Sequence, residues 1–152
     1  MKVRCIATDP MTFPVGDFDK RYYNWWIAAD KQPRIYEGLT LGASYVVYAI
    51  KIYTARPFYF VKYSPEDSRW RLVPALCFEI VDSRVSKLWS YQMRAGEGRY
   101  ITTVAIKDWI EQPSFFGRLV NHCEPEMDIM RRAVSLMEAE FTNGAEETRK
   151  PS

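Results

Sequence analysis

His122 and Cys123 bring an imidazole and a thiol together in sequence, and a cysteine nucleophile does need a base within hydrogen-bond reach. Adjacent residues in a helical connection point in different directions, however, and no glycine-rich elbow or oxyanion signature accompanies them. A structural role is therefore expected for both. One histidine and three scattered cysteines, Cys5, Cys77 and Cys123, offer no paired ligand spacing, so no metal site is expected. Glu79 and Asp82 close one apolar run, and Asp108 and Glu111 close another, where a sheet rim could gather acids. Three positions apart on a regular strand, Glu79 and Asp82 fall on opposite faces, which favours turn formation over paired acid–base chemistry. Gly96 and Gly98 are followed by neither a helix nor a Lys-Ser/Thr pair, so they do not make a phosphate loop. The expectation is a protein that is not an enzyme and carries no cofactor.

Two constellations suit binding rather than catalysis. Arg69-Trp70-Arg71 and Arg99-Tyr100 interleave cations with rings, an arrangement that stacks bases and neutralises phosphates, though any strand with one solvated face shows the same alternation. Tyr22, Tyr23, Trp25 and Trp26 cluster among charges on a long connection, and aromatic anchors of this kind dominate many protein interfaces. These four are the candidate partner-binding residues. The competing reading of the cluster is a loop that folds down to cap the core.

Charge and composition narrow the classes. A net charge of +2 is too small to imply a nucleic-acid partner by itself. The basic excess lies in the first half of the chain. The acidic excess lies near the C-terminus, where Glu124, Glu126, Asp128, Glu138, Glu140, Glu146 and Glu147 face only Arg131 and Arg132. The odd cysteine count, without close pairing, argues for reduced thiols and a cytoplasmic setting. The N-terminal residues lack the apolar run of a signal peptide, and no window reaches the roughly 18 apolar residues of a membrane span. No membrane association is expected.

The elements that would position these residues follow from periodicity. Val3–Thr8 reads as a strand stopped by Asp9-Pro10, and a long connection from Met11 to Gly38 follows. Ser44–Thr54 reads as one strand, broken by Arg56-Pro57 and resumed at Phe58–Tyr63. Ser64-Pro65-Glu66-Asp67 is a turn, and Arg69–Asp82 is a strand in which Pro74 removes a donor and marks a bulge or an edge. Lys87–Met93 and Arg99–Ile110 form a last strand pair. Beyond Pro113 the period becomes helical: Ser114 caps a helix through Val120, and Pro125 opens a longer one. Its Met127, Met130, Val134, Met137 and Phe141 follow a 3-4-3-4 spacing that Ile129, Ala133 and Leu136 widen. Asn143-Gly144 reads as its stop. Residues 1–144 are expected as a single globular domain and 145–152 as a polar tail.

The run Leu41–Ile50, then Phe58-Tyr59-Phe60-Val61, then Pro74–Asp82 with Trp89 after it, resembles small bacterial SH3-like β-barrel proteins found as immunity proteins beside polymorphic or contact-dependent toxins. The resemblance covers roughly residues 39–92. It implies an immunity-type antitoxin: a cytoplasmic inhibitor that binds a cognate toxin protein and occludes its active site. The slightly basic net charge departs from the acidic character usual for inhibitors of basic nucleases. The fold expected is α+β, a strongly bent antiparallel sheet or SH3-like β-barrel with C-terminal helices packed on it. The alternative function is a small nucleic-acid-binding or regulatory module.

Overall fold

The strand pattern from Ser44 to Thr54 divides at Val47-Tyr48 between two different sheets. The computed structural model describes residues 1–12, 35–54, 56–64, 66, 70–96 and 99–147, and within them β1 is Lys2–Cys5, β2 Ser44–Val46, β3 Ala49–Tyr53 and β4 Arg56–Lys62. At the division the Val47 N–H donates to the Met1 carbonyl in the first sheet (3.0 Å), and the Tyr48 N–H donates to the Phe60 carbonyl in the second (2.9 Å). Successive amides thus serve different sheets. A second crossing follows β5 (Trp70–Pro74), where one turn of 3-10 helix at Ala75–Cys77 delivers the chain into β6 (Phe78–Asp82). The Cys77 carbonyl accepts from the Ile6 and Ala7 N–H groups, fastening this corner to the end of β1. β7 (Trp89–Gly96) and β8 (Arg99–Ile106) complete the strands.

All pairings are antiparallel, in a three-stranded sheet of order β2-β1-β6 and a five-stranded sheet of order β5-β4-β3-β8-β7. The α+β class therefore holds, but the barrel does not close. Its closure would need hydrogen bonds carried continuously around both corners. Val47-Tyr48 and the Ala75–Cys77 turn instead interrupt the ladder, and β5 and β7 remain edges. Pro74 ends an edge strand, the placement its missing donor allows.

Two cores result, one on each side of the larger sheet. Val3, Tyr45, Tyr59, Val61, Val73 and Phe78 fill the space between the sheets. Ala49, Phe60, Ala105, Trp109, Phe115 and Met130 lie between the larger sheet and the helices. These helices are α1 (Lys107–Glu111), α2 (Phe115–Val120) and α3 (Glu124–Glu147). On α3 the residues Met127, Met130, Ala133, Val134, Met137 and Phe141 are all buried, whereas Leu136 is exposed. The Arg118 guanidinium on α2 bonds Glu126 in the first turn of α3 at 2.6 Å and holds its carboxyl below the usual carboxylate range.

Several boundaries differ from the sequence pattern for local reasons. Arg56 and Pro57 belong to β4, because the reversal occurs earlier, at Thr54, whose φ of 49° is left-handed. β8 stops at Ile106, and Lys107–Glu111 turns into helix, with Lys107 and Glu111 paired across one turn at 3.5 Å and Trp109 buried. Ser114 precedes α2 but caps it without a side-chain hydrogen bond. Helix α3 runs through Asn143 and Gly144 to Glu147, since neither residue takes the left-handed conformation that would end it.

Helix docking yields a paired test. Met137→Ala should lower unfolding free energy by about 2–5 kcal/mol, the usual cost of hollowing a buried position. Leu136→Ala, one residue away and exposed, should change it by less than about 0.5 kcal/mol. Urea unfolding of both variants checks this, and equal effects would mean that α3 does not dock through its methionine stripe.

Candidate functional site

The sequence-flagged residues are dispersed. Tyr22, Tyr23, Trp25 and Trp26 lie outside the described residues. His122 occupies the α2–α3 turn with φ 56° and is exposed, while the Cys123 N–H closes that turn on the Arg118 carbonyl at 2.9 Å. Cys5 and Cys77 are buried, and burial pushes the Cys77 thiol up to about 12, far from a reactive thiolate. Glu79 is held by Arg4 on the neighbouring strand. Asp82 is held by Arg84, whose hydrogen bonds bring its carboxyl down to about 2. Asp108 and Glu111 sit on α1 rather than on a strand rim. Trp70 is buried, so its ring serves the core and cannot stack a base, whereas Tyr100 is exposed. Among the described residues no group of three His, Cys, Asp or Glu side chains could hold a metal ion. No helix there is long and apolar enough to cross a membrane.

The residues that do come together lie on the β7–β8 hairpin, of which the sequence pattern singles out only Arg99-Tyr100. β7 is an edge of the five-stranded sheet, and no strand among the described residues pairs with its outer side. Alternation sends Tyr91, Met93 and Ala95 to one face, with Val104, Thr102 and Tyr100 directly opposite them on β8. The smaller sheet covers this face toward β4 and β5, through contacts such as Tyr59–Phe78, and the core beneath it reaches Ile50 and Trp89 but not the far end of the hairpin. Tyr91, Met93 and Tyr100 consequently stay 77%, 62% and 68% exposed.

The other face of the hairpin builds a cleft of about 220 Å³ under α1 and α2. Lys51, Thr103 and Gln92 form one cross-strand row of its floor, and Ile101 and Arg94 belong to the next. The wall is aromatic: Trp109 and Phe116 stack with centroids 5.2 Å apart and planes inclined by 17°. The Lys51 ammonium lies 3.7 Å from the Phe116 ring centre and 5.7 Å from that of Tyr53. Burial lowers its pKa to about 8, and the ring faces act in the opposite sense by favouring the charged form. Neither Lys51 nor Arg94 meets a carboxylate among the described residues.

The sequence signal for this site was a lysine at the centre of an otherwise apolar strand, Ala49-Ile50-Lys51-Ile52-Tyr53. The face it shares with Arg94 becomes identifiable only once the register is known. Compared with known protein families, curated proteins and solved structures, the chain matches none.

The lowered Lys51 pKa has a signed consequence. Below about pH 8 the ammonium is charged in both the folded and the unfolded chain, and the folded chain bears its full desolvation cost. Between about 8 and the unfolded value near 10.4, the unfolded chain binds more protons, so this group's contribution to stability rises with pH. Lys51→Met removes that contribution. The stability of the variant relative to wild type should fall by about 1–3 kcal/mol between pH 7 and 10.5. Urea unfolding at the two pH values measures the difference, and a constant offset would show that Lys51 is fully hydrated.

Proposed function

We propose that this chain is a protein-binding inhibitor of the immunity type, acting in the cytoplasm on a cognate toxin. The observation that carries the reading is the exposed ring-and-methionine surface of Tyr91, Met93 and Tyr100 on an edge hairpin. Tyrosine and methionine are enriched at interfaces, and an uncovered edge strand can pair with an extended segment of a partner. The cationic cleft on the reverse face complements an acidic group presented beside such a segment. The hairpin lies at the end of the sheet farthest from β5, where a large partner can approach the exposed face and the edge together. Tyr22, Tyr23, Trp25 and Trp26 remain a second candidate surface for the same partner.

The test is a calorimetric titration with the toxin domain encoded beside this chain, after co-expression has been scored for rescue of growth. Tyr91→Ala and Tyr100→Ala should each weaken the complex by about 2 kcal/mol if their rings are central anchors. Trp25→Ala and Trp26→Ala measure the second surface under the same conditions. Thermal melts confirm that each variant is folded. Absence of binding to the toxin domain, with salt-sensitive binding to single-stranded nucleic acid instead, would replace this reading by that of a nucleic-acid-binding module.

A further inference from the structure

We propose that the cleft between the five-stranded sheet and the α1–α2 pair binds a carboxylate carried on a single flat ring or a comparably small apolar body. This inference does not depend on the toxin reading. Four arginines elsewhere, Arg4, Arg84, Arg118 and Arg131, each hold a carboxylate of this chain. Lys51 and Arg94 both line the cleft, and among the described residues neither holds a carboxylate and no acidic side chain lines that cleft.

The geometry selects the ligand. Lys51 on β3 and Arg94 on β7 are two strand spacings and one row apart, about 12 Å between backbone positions, a span their long side chains can close onto one carboxylate. The Thr103 hydroxyl and Gln92 amide lie on the floor between the two cations as further donors. A guanidinium matches the two oxygens of a carboxylate, and an anion relieves the desolvated ammonium of its missing counter-charge. The Trp109 and Phe116 rings offer a flat apolar wall, and Lys51 already lies against the Phe116 face. An apolar cavity of about 150 Å³ is enough for benzene, so a cleft of about 220 Å³ holds one ring and its acid group.

A free aromatic acid and the aspartate or glutamate side chain of a bound protein present the same carboxylate, and two probes separate them. Benzoate stands for the first and acetyl-glutamate methylamide for the second, each titrated into the full chain while backbone amide resonances are followed by NMR. Saturable shifts at Gln92, Thr103 and Gly117 are expected with at least one of the two, and none with benzyl alcohol or inorganic phosphate at equal concentration. The tighter probe assigns the source. Lys51→Met and Arg94→Gln should each weaken binding at least tenfold. Arg94 is exposed, so its variant keeps the test valid if Lys51→Met perturbs the fold. Failure of both carboxylates to saturate, equal shifts with benzyl alcohol or phosphate, or full binding by a folded Arg94→Gln variant would overturn the proposal. Binding to the toxin domain is measured separately, so either reading can fail alone.

Discussion

Burial of β4 on both of its faces is the constraint on which the rest of this structure depends. Phe58, Tyr59, Phe60 and Val61 are consecutive and all buried, so neither side of the strand can face water. Tyr59 meets Phe78 of the smaller sheet, while Phe60 meets Trp109 and Phe116 of the helical layer with centroids 5.1 and 6.0 Å away. A strand apolar on both faces needs a cover on each, and the chain supplies a sheet for one and helices for the other. Both sheet-to-sheet crossings serve that demand. At Val47-Tyr48 the chain passes from β2 of the small sheet into the large one, and at Ala75–Cys77 it leaves the large sheet to lie over its surface as β6.

The candidate binding surface follows from the mismatch between the two layers. Five strands cannot be covered fully by three, and the shortfall falls on the hairpin farthest from β5. On the uncovered side Tyr91, Met93 and Tyr100 meet water. On the helical side α1 and α2 roof the same hairpin but leave a gap, because the short helices pack their rings toward Phe60 rather than down onto Arg94. Lys51 projects into that gap with an aromatic face in place of a counter-ion. A well-packed core and an incompletely covered edge are thus consequences of one arrangement.

Legibility in the sequence depended on whether the determining signal was local. The α3 stripe was readable because helix docking is written into spacing: Met127, Met130, Val134, Met137 and Phe141 are all buried. Leu136 misled because it lies at the margin of the stripe, where a small rotation decides between core and solvent. Pro74 was readable as an edge feature, since a missing donor has few permitted places in a sheet. The corner at Val47-Tyr48 was not readable, because both residues favour extended structure and nothing local tells one sheet from another. Of the two expected forms, a strongly bent sheet or the SH3-like barrel that the resemblance implies, the closed barrel is absent because the ladder breaks at this corner. The turn of Lys107–Glu111 into helix also escaped, its Trp109 and Ile110 extending the apolar run of β8. For the site, alternation along Tyr91-Gln92-Met93-Arg94 announced two faces but not which of them a second layer would leave open.

The central claim is that incomplete coverage leaves the β7–β8 hairpin as the surface a partner protein engages. Hydrogen exchange of backbone amides, compared between the free chain and its complex with the proposed toxin partner, tests it most directly. The account predicts new protection over Trp89–Gly96, with β4 unchanged because an inner strand buried on both faces is expected to exchange slowly in the free chain as well. Protection that appears instead along the acidic outer face of α3, with the β7 amides exchanging as fast as in the free chain, would contradict it.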